Sequence, residues 1–323
     1  MTIRIQPITI PTPFPVGPVN AYLLPDDPVT LVDAGLKTEA ARAAIRASFA
    51  AAGLPPAALA RIILTHGHTD HMGLAAEIAA ESGAPVFAHP DDAPKLGGER
   101  TYAAYADYLL RTMRQHGTPE WVGPAVLEAL RTLRALIDPL PAFEPLADGM
   151  RLPSGSGELQ VLHTPGHSAG HICLAGDGVL IAGDMLLEEI SPNPLLEFTA
   201  SGERVQTLPL LLASLRRLHA LNPPIVYPGH GEPFGPAAPR IERVLAHHAE
   251  RLEQISSLLG DSPQAAADLA EVLFPTSDPM NRLLALAEVI GHLDVLVAEA
   301  RAEEVSTGGR IAYRRRERPE SEA

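Results

Sequence analysis

Six consecutive residues, His66-Gly67-His68-Thr69-Asp70-His71, hold four potential metal ligands directly behind the apolar stretch Arg61-Ile62-Ile63-Leu64-Thr65. That stretch reads as a buried strand over 61–65, and the residues behind the run as a helix over 71–82. The carboxyl end of a strand, just before a helix, is where α/β proteins place their sites. In an extended segment residues two apart point the same way, so His66 and His68 can share one ion. Asp70 and His71 lie where the chain turns into the helix and aim elsewhere, which calls for a second ion beside the first. A merely polar loop would not concentrate ligands in this way.

Composition narrows the class. With 323 residues there is room for one large domain and a smaller one. No stretch has the length of a membrane span, and the first residues lack the layout of a signal peptide, so a cytoplasmic enzyme with no membrane partner is the expectation. The single Cys173 leaves neither a disulfide framework nor a thiolate metal site. A formal net charge of −14 argues against general polyanion binding. Lys37 and Lys95 are the only lysines and proline is frequent at 32, a skew read as coding bias or thermal adaptation.

Strands are expected over 2–10, 19–24, 29–32, 61–65 and 85–89, with a helix over 37–52. Residues 91–147 break this rhythm with two helical stretches, 99–115 and 124–137. They read as an insertion folded over the mouth of a site. Tyr102, Tyr105, Leu109 and Met113 recur at helical spacing, and Trp121 lies between the helices. Most are expected to pack on the main body, some to line an apolar channel. Strands then resume over 158–163, 172–175, 179–182 and 225–227, with a helix over 203–221. Two halves of similar make, each delivering ligands at strand ends, fit two sheets with helices outside better than one doubly wound sheet. Helices over 239–259, 264–274 and 279–300 follow, closing in a hairpin at 303–313. Residues 314–323 read as a frayed charged tail.

His167 and His230 each follow a Pro-Gly turn, and Asp184 ends an aliphatic strand, where an unpaired carboxylate would be costly. The assignment is His66, His68 and His167 to one ion, and Asp70, His71 and His230 to the other. Asp184 bridges both, and Asp70 and Asp184 are the catalytic carboxylates. Imidazole and carboxylate donors suit two divalent ions, zinc first, with manganese or iron as alternatives. Asp33 is a candidate partner that orients a ligand, with a helix-capping turn residue as the equal alternative. His89, ending a strand near the cleft, is a further candidate partner. His163 and His171 read as hydrogen-bonded structural residues. His116, His219, His247, His248 and His292 fall on expected helices and read as surface or satisfied core residues.

Thr65-His66-Gly67-His68-Thr69-Asp70-His71, Thr164-Pro165-Gly166-His167, Gly183-Asp184 and Pro228-Gly229-His230-Gly231 resemble, in order, the motifs of the metallo-β-lactamase superfamily. The resemblance spans roughly residues 1–238. It implies an α/β fold, the four-layer αββα sandwich, with a binuclear site between the sheets. Leu31-Val32-Asp33-Ala34-Gly35 is similar to the superfamily's early Asp motif and strengthens the orienting role of Asp33. The expected domains are therefore a catalytic one over 1–238, carrying the insertion at 91–147, and a second over 239–323. The latter resembles the winged-helix appendage of the β-lactamase-like protein 2 branch, whose animal members cut single-stranded RNA. The catalytic half also resembles glyoxalase II, a thioesterase, although the insertion is longer than those relatives need. The 240–323 region also lacks the basic residues by which glyoxalase II grips glutathione.

The resemblance implies a binuclear metal-dependent hydrolase using a metal-bridging hydroxide, and the first expectation is an ester or thioester of a small acyl compound as substrate. A single-strand RNA endonuclease with the same ions is the alternative. Residues 240–323 hold ten Arg against fifteen Asp plus Glu, a net of −5, where a nucleic-acid face would be basic. That region is accordingly read as packing or homodimer surface, with nucleic acid the minority reading. A mononuclear iron dioxygenase of the same superfamily is a further alternative, disfavoured by the full second ligand set.

Overall fold

The structure, a computed structural model, describes residues 3–199 and 202–316. Its first sheet runs in the order β1 (Gln6–Ile10), β2 (Val19–Leu24), β3 (Thr30–Val32), β4 (Arg61–Ile63), β5 (Val86–Ala88), β6 (Glu144–Pro145). The hairpin pairs β1–β2–β3 are antiparallel, and β3 to β6 are parallel. Strands β7 (Arg151–Ser154), β8 (Gly157–His163), β9 (Ile172–Gly176) and β10 (Val179–Gly183) form an antiparallel meander. A later strand, called β13 (Ile225–Pro228) after the short ribbon β11 (Glu197–Phe198) and β12 (Arg204–Val205), adds to β10 in parallel.

Side-chain alternation explains the layering. Leu31 and Ile62 face outward onto α1 (Glu39–Ala51) and α3 (Ala75–Ser82), while their neighbours Val32 and Ile63 face the second sheet. In that sheet Ile172, Leu174 and Ile181 face inward, and Cys173, Leu180 and Ala182 face outward onto α7 (Thr207–Leu221) and α8 (Ala237–Leu258). Strands covered on both faces must be apolar throughout, as β10 is. The result is the expected four-layer αββα sandwich. The helix expected over 71–82 is two pieces, α2 (Thr69–Met72) and α3, with Gly73 between them. A side chain at Gly73 would stand 2.6 Å from the Gly35 carbonyl oxygen, so the chain is pinned there against the β3–α1 loop.

The insertion consists of α4 (Ala93–Leu96), α5 (Glu99–Gln115) and α6 (Val122–Arg134). After α8 come α9 (Ala266–Leu273), α10 (Pro279–Ala298) and the antiparallel hairpin β14 (Ala302–Thr307) and β15 (Arg310–Arg315). Gln264 also bridges Tyr313 of the hairpin. These distant segments share one core: Tyr108, Leu109, Met113 and Val126 of the insertion pack with Ile255, Leu286, Leu293 and Tyr313. The tail expected to be frayed from 314 is ordered through Arg316, because Arg314 bonds Glu303 and Arg315 donates to the Leu259 carbonyl. Arg318 lies outside the described residues.

Leu293 is fully buried in that shared core. Leu293→Ala is expected to cost about 2–5 kcal/mol of stability by transfer and cavity terms. Hydrogen exchange should then accelerate in α5 and α6 as well as in α10. Deprotection confined to α10 would contradict a common core.

Candidate metal centre

Four strand ends deliver the seven expected ligands. His66 and His68 stand in the extended turn after β4, and the helix begins immediately after His68, whose carbonyl accepts from His71 and Met72 amides. Asp70 and His71 therefore project from α2 rather than from the strand direction. His167 sits in the loop between β8 and β9, Asp184 just after β10, and His230 just after β13. The structure brings all seven together, each side chain half-buried or buried. Donor atoms of His66, His68 and His167 lie within 4.8 Å of one another, as do those of Asp70, His71 and His230, and those of His66, His71 and Asp184. Asp184 spans the two sets: its Oδ1 is 3.4 Å from His71 Nε2, and its Oδ2 is 3.5 Å from His167 Nε2 and 3.6 Å from His230 Nε2.

Whether these donors fit cations is tested by the atoms they leave without partners. His66 Nε2, His71 Nε2 and Asp184 Oδ1 are buried and make no hydrogen bond to protein, although such atoms normally find one. The far ring nitrogens of three ligands are engaged. His71 Nδ1 donates to Asp33 Oδ2 (2.8 Å), His230 Nδ1 to the Pro18 carbonyl (2.8 Å) and His167 Nδ1 to the Asn193 carbonyl (3.2 Å). With Nδ1 donating, the Nε2 lone pairs of His71 and His230 face the cage, and that of His167 meets His68 Nδ1 at 3.0 Å. Burial holds the His66, His68 and His167 imidazoles below their usual range, hence neutral and ready to donate. Burial also opposes charge on His71 and His230, yet Asp184, Asp33 and Asp70 outweigh it at His71, and Asp70 and Asp184 outweigh it at His230, so both are raised. Asp184 likewise resists burial through His71, His230 and His167, which hold its carboxyl well below the carboxylate range. A cage that attracts protons onto its own imidazoles is electrostatically suited to cations, and the donor set fits divalent ones.

Asp33 is the cage's anchor. It adopts φ +60°, a region non-glycine residues seldom enter, immediately after β3. Its carboxylate accepts from the Thr65 amide (2.8 Å), from the Thr65 hydroxyl (2.8 Å) and from His71. The same hydroxyl stands 3.0 Å from His66 Nδ1, so one carboxylate orients two ligand rings. His171 is buried and accepts the Asp184 amide proton on Nε2 (3.2 Å) while Nδ1 meets the Thr164 hydroxyl. Its ring supports the carboxylate's backbone and is held far from protonation by burial, with a pKa of about 3. Gly229 approaches so closely that a Cβ there would collide with Asp184 Oδ1. His89 makes no hydrogen bond to the seven. It stacks on His163 at 3.8 Å and accepts the Asp91 amide proton.

Asp92, Lys95 and Glu197 escaped the sequence reading. Asp92 accepts from the Gly67 amide (2.6 Å), the Gly170 amide (2.9 Å), the Ser168 hydroxyl (3.0 Å) and Lys95 (2.9 Å), and so ties the His66–His71 turn to the His167 loop. Burial would raise its carboxyl, but Lys95 holds it low. Lys95 also pairs with Glu197. The one local signal for the pairing of Asp92 with Lys95 is their spacing of three residues, one helical turn. Asp92→Ala leaves two buried amides unpaired and is expected to cost about 3 kcal/mol. Thermal denaturation of the metal-free protein would read this out, and a loss below about 1 kcal/mol would contradict Asp92 as the tie between the two loops.

A cavity of about 460 Å³ opens from the cage. Its polar side is His68, Asp70, His167, Asp184 and His230; its other walls come from α5, α6, α10 and the loop holding Leu187 and Ile190. Tyr102 and Tyr105 line it, whereas Leu109 and Met113 are buried in the shared core and Trp121 is exposed beside Arg282.

A family model described as the metallo-beta-lactamase superfamily matches residues 14–230. The chain belongs to that superfamily. Across 297 residues it is 33% identical to a Bacillus subtilis (strain 168) protein named probable metallo-hydrolase YqjP, covering 90% of this chain and 92% of that one. A metallo-beta-lactamase family protein of Thermus thermophilus superposes with a TM-score of 0.82 at 36% identity, covering 97% of this chain and 98% of that one. A beta-lactamase domain protein of Burkholderia ambifaria gives 0.81 at 28% identity over 98% and 94%. The metallo-β-lactamase match and these relatives make the chain a metal-dependent hydrolase. No described helix is long and apolar enough to cross a membrane.

Proposed function

We propose that the chain hydrolyses an ester or thioester of a small acyl compound with two divalent ions, zinc foremost, held by His66, His68 and His167 and by Asp70, His71 and His230, with Asp184 between them. The single observation that supports this is the convergence of seven donors, three of them with orphaned atoms, onto one end of a mostly apolar cavity. When bound, such ions lower the pKa of a water and polarise a carbonyl. The chain's own residues do the rest. Asp33 fixes the tautomer and aim of His71 and, through Thr65, of His66. Asp184 sets the separation of the two donor groups, and Asp70, 3.4 Å from His230 Nε2, adds the second carboxylate that offsets cationic charge. The apolar walls exclude water around the reacting carbonyl, which strengthens every charge inside.

An acyl substrate is favoured over a polyanion by the cations of the cavity. Lys95 is held between Asp92 and Glu197, and Arg134 donates to the Gly97 carbonyl (2.9 Å) and lies over Tyr102. The C-terminal helices and hairpin, read as winged-helix-like, carry the acidic balance noted above and pack on the insertion instead of offering a basic face. Incubation of zinc-loaded protein with an acyl thioester and, separately, with labelled single-stranded RNA tests the reading. Thioester cleavage abolished by a chelator is expected; cleavage of RNA alone would reverse it.

A further inference from the structure

We infer that the cavity beside the metal cage is a compartment for a straight aliphatic acyl chain of medium length, which sets the enzyme's preference toward acyl groups of roughly six to ten carbons. This rests on the hydrolase reading above and adds the identity of the acyl group. The cavity is continuous with the donors, since His68, His167 and Asp184 form one end of it. A carbonyl at that end would leave its alkyl tail among Leu130 and Leu133 of α6, Tyr105 of α5, and Met280, Leu283 and Leu284 of α10. Leu130, Leu133, Met280, Leu283 and Leu284 conform to a flexible chain and present no hydrogen-bond pattern that a polar group would need, and Tyr105 adds a ring face beside them.

Size points the same way. An acetyl group would leave most of the roughly 460 Å³ to water against an apolar wall. At about 30 Å³ per water-sized group in a liquid, an eight-carbon chain takes up roughly half of it. The remainder is room for the polar arm of the leaving group near the mouth. There Val16 and Ile190, 38% and 47% exposed, place two of the chain's exposed large apolar side chains on the rim of this one opening. The tail wall is built by α5, α6 and α10, while the donors come from the sandwich itself, so chain-length preference and metal chemistry sit on separate elements.

The test uses zinc-loaded full-length protein and a series of straight-chain thioesters, acetyl to dodecanoyl, on one common thiol. Each buried methylene is worth roughly a fourfold gain, so kcat/KM is expected to rise at least about a hundredfold from acetyl to octanoyl and to fall beyond the length the cavity holds. Leu133→Trp fills the wall and is expected to lower the octanoyl-to-acetyl ratio at least about tenfold with metal content unchanged. Calorimetric binding of the carboxylates from acetate to decanoate gives a readout independent of turnover, and affinity is expected to climb with length and to lose that slope in Leu133→Trp. Turnover that is flat across the series overturns the compartment and leaves the hydrolase reading standing. If no thioester or ester turns over, the hydrolase reading falls. The carboxylate series then decides: a slope with length sustains an alkyl-binding compartment, and a flat series overturns it.

Discussion

Replacing Asp184 with alanine is expected to abolish turnover, by at least ~10³-fold, while leaving the sandwich assembled. Asp184 lies within 3.6 Å of donors in both sets, through His71 on one oxygen and His167 and His230 on the other. On the proposed binuclear reading, loss of a carboxylate shared by two ions would forfeit several kcal/mol of charge stabilisation at the reacting centre. The backbone has its own support, because the Asp184 amide is held by His171 and the Gly183 carbonyl accepts the Gly229 amide at 2.7 Å. Elemental analysis should therefore show reduced metal in a protein whose circular dichroism is unaltered. Asp184→Asn keeps the volume and removes the charge, and should fall nearly as far. Turnover within about tenfold of the parent in either variant would remove Asp184 from the chemistry.

The cage was legible in the sequence because its ligands sit in short turns whose geometry is local. The order strand, His-X-His, then helix, fixes where His66, His68, Asp70 and His71 can point, and the aliphatic run before Asp184 could only be a strand covered on both faces. Helix α5 was legible to the residue, since glycines precede it and its apolar positions keep helical spacing. What escaped depends on pairs far apart in the chain. Lys95 and Glu197 meet across 102 positions, and nothing near either residue marks the other. The shared core of insertion and C-terminal helices escaped for the same reason: the apolar stripe of α5 states that it is covered, not by what. His89 misled because a strand end near the cleft is a place, whereas a ligand's partner is defined by direction. Its ring turns to His163.

Asp33→Asn is expected to weaken metal binding and lower kcat/KM by about 10–100-fold, the range usual for a residue that orients metal ligands. Asparagine tolerates the φ +60° backbone about as well as aspartate, so the change isolates hydrogen bonding from strain. In the parent both carboxylate oxygens only accept, from the Thr65 amide, the Thr65 hydroxyl and His71 Nδ1. The asparagine oxygen can keep the Thr65 amide, but the NH₂ then confronts His71 Nδ1–H and the Thr65 hydroxyl. Two donors face to face drive His71 toward the tautomer with its proton on Nε2, where the lone pair belongs. The deficit should therefore appear as faster loss of metal to a competing chelator, with kcat recovering in part at saturating zinc. Asp33→Ala removes the short polar side chain whose local hydrogen bonds offset the cost of positive φ and should also lower thermal stability, which Asp33→Asn should do far less. Equal chelator resistance in parent and Asp33→Asn would reduce Asp33 to a turn residue. In that case the aim of His71 would have to come from the helix that carries it.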